Sequence, residues 1–406
     1  MKVLFLNQHY LPEVAPTGLL LAELAEDLAA SGVAVSVLTG LPSYLLNGVR
    51  KVVHTSTTHE SGPLQVSRIW NTGWNRHTRI GRLMNYGTFY CGCALNVMVE
   101  EADVVVAMTT PPLLSALGAT RKKLLGGKLI LWMQDVYPDI AFRYNAFGST
   151  TLERSLRWIS EVAHGAADAI VALGETMENH LQEIGVPAGK LRVIHNWADG
   201  RSLHPDPVGG SSRRESLGFE GKFVILYSGN MGMVHDFSAV FAAARRLACD
   251  PRVLFLFAGN GVQRKDMEDI ARRESLPNVK FLGYAAREEL NAALNVASAS
   301  LVTQDERSLG LVVPSKIYSS LAVGRPVLAI GPKGSEVESI LTASDAGFFQ
   351  ENGDGEGLLQ AIRTLVESAE LAQDMGDRGR KYFLEHFDRP LQTTRFRDLL
   401  LEICRD

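Results

Sequence analysis

Short apolar runs that end in glycine, proline or asparagine loops recur along this chain, and most of those loops lead into a helical stretch. Val3–Leu6, Val33–Leu38, Asp103–Met108, Lys128–Trp132, Ala169–Leu173 and Leu191–Ile194 fill the first half. Phe223–Tyr227, Val253–Phe257, Val279–Leu282, Ala299–Thr303 and Val327–Ile330 fill the second. Runs this short, and apolar throughout rather than alternating, read as strands buried on both faces of a parallel sheet. The helices between them are the crossovers that parallel strands require. The alternation breaks at Arg201–Phe219, where Pro205, Pro207, Gly209, Gly210, Ser211 and Ser212 cluster. With 406 residues to distribute, two α/β domains are expected rather than one. The expected organisation is a domain over 1–200, a linker over 201–220 and a domain over 221–385. A terminal amphipathic segment, 386–406, is expected to pack back toward the first domain.

Composition narrows the function. A chain that is 46% hydrophobic and 21% charged is that of a soluble globular protein. The net charge of −4 provides no basic field for nucleic acid. Cys91-Gly92-Cys93 lacks metal-ligand spacing, and Cys249 and Cys404 stand alone, so reduced thiols in the cytoplasm are expected. The N-terminus runs straight into a strand, which is not the pattern of a signal peptide. No apolar window reaches the length of a membrane span. GxGxxG, Walker, GxSxG and HxxxH patterns are absent, so dinucleotide, P-loop, serine-hydrolase and metal-hydrolase chemistry have no support.

Candidate site residues lie where strands end, since open parallel sheets bind ligands there. The loop after the first strand carries His9, Tyr10 and Gly18. Asp135 follows the strand Lys128–Trp132; it reads equally as an acceptor-binding carboxylate or base and as a cap or turn residue. In the second half, Ser228-Gly229-Asn230 and Gly259-Asn260-Gly261 end two strands, and their glycines let backbone N–H groups approach a ligand. Pro314-Ser315-Lys316 opens a helix ended by Gly324 and Pro326, where free N–H groups and an ammonium suit an anion. The alternative is an ordinary helix with Lys316 in solvent. Three such loops in one domain favour a phosphate-bearing nucleotide. Between Arg50 and Arg82, Arg50, Lys51, Arg68, Arg76, Arg79 and Arg82 face only Glu60, with Trp70 and Trp74 interleaved and the apolar Ile80–Val99 following. That segment fits an anionic membrane surface, or a solvated loop with a buried helix.

Tyr227-Ser228-Gly229-Asn230-Met231-Gly232, Ala258-Gly259-Asn260-Gly261, Val313-Pro314-Ser315-Lys316, Ala322-Val323-Gly324-Arg325-Pro326-Val327 and Ile194-His195-Asn196-Trp197 occur in a familiar order. Over almost its whole length the chain resembles the retaining GT-B glycosyltransferases of family 4, nearest the colanic acid and O-antigen branch. The resemblance implies two Rossmann-like domains facing across a cleft and a nucleotide-sugar donor, UDP-linked by expectation, with no metal. It places Gly229 and Asn230 on the diphosphate with Lys316 neutralising it, Tyr284 by the base and Gly18 approaching the donor. His9, Tyr10 and Asp135 then face the acceptor or the donor sugar. Many family members carry two glutamates here; this chain has Leu311 and Ser319 at those positions, so Ser319 or Glu306 is left to hold the ribose. Where many members carry an arginine and a lysine after the first strand of this domain, this chain has Asn230 and His235. A lipid-linked acceptor at the inner face of the cytoplasmic membrane is implied as well. The competing readings are a sugar-nucleotide epimerase, transfer to a soluble small molecule, and a non-catalytic nucleotide-binding scaffold.

Overall fold

A computed structural model of the protein describes residues 1–13, 15–41, 63–74, 78–145 and 149–405. The chain divides into two compact units, Met1–His195 with Pro390–Asp406, and Asn196–Arg389. Each unit is built on one parallel sheet with helical crossovers.

The first sheet contains β1 (Lys2–Leu6), β2 (Ala34–Gly40), β3 (Leu64–Ile69), β4 (Val104–Met108), β5 (Lys128–Trp132), β6 (Ala169–Ala172) and β7 (Leu191–Val193). Their order is β3-β2-β1-β4-β5-β6-β7. All its registered pairs are parallel, and Val3 aligns with both Val35 and Val104. The order reverses direction between β1 and β4, the kind of point at which open parallel sheets bind ligands at their carboxyl edge. β3 lies on the edge of the sheet and falls within the stretch read as a basic segment. Its Leu64, Val66 and Ile69 are buried, and Arg68 turns its guanidinium to the backbone carbonyls of Leu11 and Gly40. Arg68 is therefore a structural clamp rather than part of a basic surface. Arg50, Lys51 and Arg76 lie outside the described residues.

The second sheet contains β8 (Phe223–Ser228), β9 (Val253–Ala258), β10 (Val279–Leu282), β11 (Ala299–Thr303), β12 (Val327–Gly331) and β13 (Gly347–Glu351), ordered β10-β9-β8-β11-β12-β13. Its registered pairs are also parallel, and its order reverses between β8 and β11. Ile225, Phe255, Leu301 and Leu328 face the main core, against Val240, Phe241 and Ile362 from the helices. Val224, Leu226, Leu254 and Leu256 face the other side, against Leu294 and Val296.

The segment expected as a linker is instead a helix, Pro207–Leu217. Asp206 caps it by accepting the Gly209 N–H at 2.9 Å, Pro207 occupies its first turn, and Gly218 closes it in the left-handed region. Gly210 lets the helix lie on Asn295: a Cβ there would sit 2.4 Å from the Asn295 carbonyl oxygen. Proline, glycine and serine here are cap and contact residues.

The terminal helix Arg389–Arg405 belongs to the first unit beyond Arg389. Phe396 is fully buried there, its ring 5.1 Å from that of Trp132 and 6.5 Å from that of Phe5. Truncating an aromatic ring at such a position leaves a cavity and costs about 3–5 kcal/mol. Phe396→Ala is accordingly expected to lower the melting temperature of the protein by several degrees, whereas Leu401→Ala, on the exposed side of the same helix, leaves it nearly unchanged; differential scanning calorimetry checks both.

Candidate functional site

In the second unit the loops after β8 and β9 nest against each other. The Gly229 N–H donates to the Ala258 carbonyl at 2.8 Å and the Met231 N–H to the Asn260 carbonyl at 2.7 Å. A Cβ at Gly259 would lie 2.0 Å from the Gly229 carbonyl oxygen, and one at Gly261 would lie 2.4 Å from that of Met231. These two glycines, expected to admit a ligand, have a prior duty: no side chain fits where the loops touch. Gly229 differs, because a Cβ there would meet the Lys316 side chain, 2.8 Å from Cε. The glycine keeps that lysine against the loop.

Lys316 opens the short helix Lys316–Ala322 after β11 and is half-buried rather than out in solvent. Its Nζ lies 3.3 Å from His235 Nε2 and 4.8 Å from the centre of the Tyr227 ring. His235 Nδ1 is 2.7 Å from the Thr303 carbonyl, which can only accept, so Nδ1 carries the proton. Nε2 then presents a lone pair, and Lys316 donates to it. Burial, then the neighbouring ammonium, hold the His235 pKa well below its usual value, so the ring is neutral. Tyr227 packs edge-on against His235 and donates its hydroxyl to the Asn230 carbonyl at 2.6 Å. Asp305, whose charge acts on His235, is engaged by Arg307 at 2.9 and 3.1 Å. Lys316 is thus a cation held by an aromatic face and an imidazole lone pair, and burial lowers its pKa to about 8.

The other residues expected here are arranged around that group. Ser228 ends β8, and Asn230 is exposed beside it. Pro314 is buried; Ser315 takes the cap position of the helix without making a side-chain cap bond. Ser319 turns its hydroxyl back to the Lys316 carbonyl at 3.1 Å. Tyr284 is half exposed after β10, and Glu306 is exposed in the turn Glu306–Ser308.

In the first unit the loops after β1, β4 and β5 are tied together at the carboxyl edge. The Gln8 N–H donates to the Thr110 carbonyl at 2.8 Å, and Thr109 Oγ1 accepts from the backbone N–H groups of Gln134 and Asp135, each at 3.3 Å. Asn7 Oδ1 and Gln8 Oε1 are buried there without a hydrogen-bond partner among the described residues. His9 and Tyr10 are both largely buried. His9 Nδ1 is 2.8 Å from the buried Glu13 carboxylate, and burial raises the Tyr10 pKa. Gly18 lies beneath this loop, where a Cβ would be 3.0 Å from the backbone of His9 and Tyr10. It turns toward its own loop and carries it.

Asp135 is half-buried, and its carboxylate has neither a hydrogen bond nor an ion pair among the described residues. It caps nothing: the helix Asp139–Arg143 has Pro138 at its cap position. Burial raises the Asp135 pKa to about 6. Four residues on, Asp139 is buried and held by Arg157 and by His180 Nε2 at 3.4 Å, which fixes the far end of the loop. Among the described residues no group of three or more His, Cys, Asp or Glu is placed to hold a metal ion.

Sequence reasoning placed Lys316, Gly229, Asn230 and Asp135 correctly at strand ends but did not join Lys316 to His235, which lies 81 residues away. The Asp139 anchor was not foreseen either; the signal available was a second aspartate at the mouth of the same loop.

A cation of this kind gives anion binding a definite pH dependence. The ammonium is fully charged well below pH 8 and is lost as pH rises through that value. Pyrophosphate affinity measured by calorimetry is therefore expected to fall several-fold between pH 7 and pH 9. Lys316→Ala abolishes the dependence. His235→Phe removes an acceptor from the ammonium and moves the midpoint to lower pH, while His235→Gln retains a carbonyl acceptor and restores it.

Comparison with known proteins agrees with this division of the chain. The family model for Glycosyltransferase Family 4 matches residues 18–200, and that for Glycosyl transferases group 1 matches residues 211–382. The chain is 28% identical over 341 residues to the putative colanic acid biosynthesis glycosyl transferase WcaI of Escherichia coli, covering 80% of this chain and 82% of that protein. It is 26% identical over 294 residues to the probable glycosyltransferase WbjE of Pseudomonas aeruginosa, covering 72% and 73%. Among solved structures, sucrose-phosphate synthase from Thermosynechococcus elongatus superposes with a TM-score of 0.77 at 15% identity, over 99% of both chains. HepE of Anabaena, solved in complex with UDP and glucose, superposes with a TM-score of 0.74 at 19% identity, over 98% and 99%. With both halves matched by glycosyltransferase families and both sheets by this architecture, the chain belongs to the GT-B glycosyltransferases, its first half of family 4 and its second of group 1.

Proposed function

We propose that the protein transfers a sugar from a nucleoside diphosphate sugar, a UDP-sugar by preference, to a lipid-linked or polysaccharide-precursor hydroxyl, with retention of configuration and without a metal. The observation that carries this reading is the Lys316 ammonium, held against Gly229 by neutral groups. An anion that displaces the His235 lone pair gains a cation already largely desolvated, where electrostatic attraction is stronger than in water. The UDP and UDP-glucose complexes of HepE favour a uridine donor. The names of WcaI and WbjE favour a polysaccharide acceptor.

In this reading the second unit holds the donor. Lys316, Asn230 and the Gly229 loop meet the diphosphate, Tyr284 meets the base, and Ser319 or Glu306 meets the ribose. The bond from the sugar's anomeric carbon to the diphosphate breaks, and the electron pair goes to the departing phosphate oxygen. Lys316 neutralises the charge that grows there, which lowers the barrier to departure. The acceptor oxygen attacks from the same face and gives its proton to that phosphate, so no enzymic nucleophile is needed. The first unit holds the acceptor, with the unpaired Asp135 carboxylate accepting a hydrogen bond from the hydroxyl that reacts or from its neighbour. No second carboxylate accompanies Asp135 in the observed contacts, which disfavours an epimerase's acid and base pair. The protein works in the cytoplasm at the inner face of the membrane, where a lipid-linked acceptor is found.

The test is a thermal-shift panel of UDP-, GDP- and dTDP-sugars followed by assay of nucleotide release with candidate acceptors. One base is expected to stabilise the native protein by mass action. Lys316→Ala should abolish that shift and lower kcat/KM by roughly 10²–10³-fold. Asp135→Asn should leave the shift intact and lower kcat, removing an acid limb near pH 6. A folded protein that no nucleotide sugar stabilises, or a Lys316→Ala variant that binds as the wild type does, overturns the assignment.

A further inference from the structure

The helix Thr150–Ala166 of the first unit buries one side and leaves the other bare. Ser160, Ala163 and His164 are buried. Arg154, Ser155, Trp158, Glu161, Val162 and Gly165 are exposed, at steps of three and four that draw one stripe along the helix. Trp158 stands in the middle of that stripe, 64% exposed, and Val162, one turn on, is 49% exposed. Nothing bulky or polar crowds the indole from within the stripe. Gly165 has no side chain, and Ser155 turns its hydroxyl back to the Thr151 carbonyl at 3.0 Å. An indole ringed by small groups on a helix is the kind of residue that anchors an interface.

The charges of this helix fall into two sets. Arg157, away from the stripe, is spent inside its own unit: it donates to Glu153 at 3.0 and 3.1 Å and pairs with Asp139. On the stripe, the side chains of Arg154 and Glu161 have no hydrogen bond or ion pair among the described residues. Seven residues separate them, which puts them on the same side of the helix but about 10 Å apart along it, too far to meet each other. The stripe thus carries one cation and one carboxylate, set almost symmetrically about Trp158.

We infer that this stripe is the contact surface for a second copy of the chain, the two helices lying antiparallel about a twofold axis beside Trp158. Such an axis brings the two copies of Trp158 together. It sets Arg154 level with the second copy's Glu161, and Glu161 level with the second copy's Arg154, so one surface supplies both halves of two ion pairs. That self-complementarity selects the occupant. An anionic bilayer is opposed by Glu161 beside the indole, and an unrelated protein would have to reproduce the same charge order in reverse, which a second copy does by symmetry. An indole core with charges at its margin is also the usual anatomy of a protein interface. One helix of 17 residues, about 25 Å long, makes a small interface, so the dimer is expected to be reversible, with a Kd in roughly the micromolar range. The inference does not rest on the proposed function.

The test is sedimentation velocity of the full chain, without nucleotide, acceptor or lipid, from about 1 to about 100 µM. Wild type is expected to pass from monomer to dimer across that range. Trp158→Ala should raise the Kd at least roughly tenfold. Arg154→Glu alone and Glu161→Arg alone set like charges level with each other, and each should weaken the dimer roughly several-fold. A mixture of these two variants regains both ion pairs in the mixed dimer and should associate about as wild type does. The double reversal, Arg154→Glu with Glu161→Arg, should do the same. Val208→Glu, at an exposed apolar position of the second unit, serves as the control and should dimerise as wild type does. Circular dichroism and melting temperature confirm that each variant folds. Wild type that stays monomeric at the highest concentration overturns the inference. So does a dimer that folded Trp158→Ala leaves intact, or a mixture of the two reversals no tighter than either alone, since the surfaces in contact then lie elsewhere. A monomer that pellets with phosphatidylcholine vesicles only while Trp158 is present overturns it as well, and assigns the stripe to lipid. Lys316→Ala should dimerise as wild type does, so this result and that at the donor site are read separately.

Discussion

Parallel pairing constrains everything else in this protein. A parallel strand returns its chain to the starting edge only through a crossover, so every loop that leaves the carboxyl ends emerges on one side of its sheet. In each unit the strand order reverses once beside the first strand. Those two points are where open parallel sheets place their ligands. His9, Thr109 and Asp135 collect around one such point, and Asn230, His235 and Lys316 around the other. The chemistry of the chain is concentrated there because that is where backbone and side chains are left unspent.

Within that frame the second site solves a particular electrostatic problem. Beside Lys316 this chain has a neutral imidazole. A lone pair and a ring face hold the Lys316 ammonium in place without neutralising it, as a carboxylate would. A carboxylate partner would have stabilised the free protein more and left less attraction for a ligand. The first site shows the complementary choice. Asp135 is left unpaired, while Asp139, four residues on, is fully engaged by Arg157 and His180. Two carboxylates on one loop are thus divided between holding the loop and facing outward.

The strands most legible in the sequence were those buried on both faces. Lys128–Trp132 and Ala299–Thr303 match the observed limits, because burial accounts for such runs; Val279–Leu282 matches as well, although it is an edge strand with Lys280 exposed. Leu64–Ile69 and Gly347–Glu351 were not foreseen. Both are edge strands, and half-burial allows Gln65, Ser67, Arg68, Gln350 and Glu351 to interrupt the apolar pattern. The Pro207–Leu217 helix was misread through its composition, although Asp206, Pro207 and Gly218 are start and stop signals when taken one by one. At the site, the position of Lys316 was legible because a loop and a helix start are local features. Its partner was not, since His235 meets it only after two strands have been laid side by side. Gly259 and Gly261 taught a related lesson: the sequence signals that a side chain is excluded, but not whether a ligand or a neighbouring loop excludes it.

The return of the terminal helix to the first unit has a consequence for how the chain comes to be folded. In sequence the second unit is an insertion, complete between Asn196 and Arg389, whereas the first is split around it. On a ribosome the second sheet can close as soon as its own residues have emerged. The first sheet, though synthesised earlier, must wait with Phe5 and Trp132 uncovered until Phe396 arrives from the far end of the message. Birth order and completion order are therefore reversed.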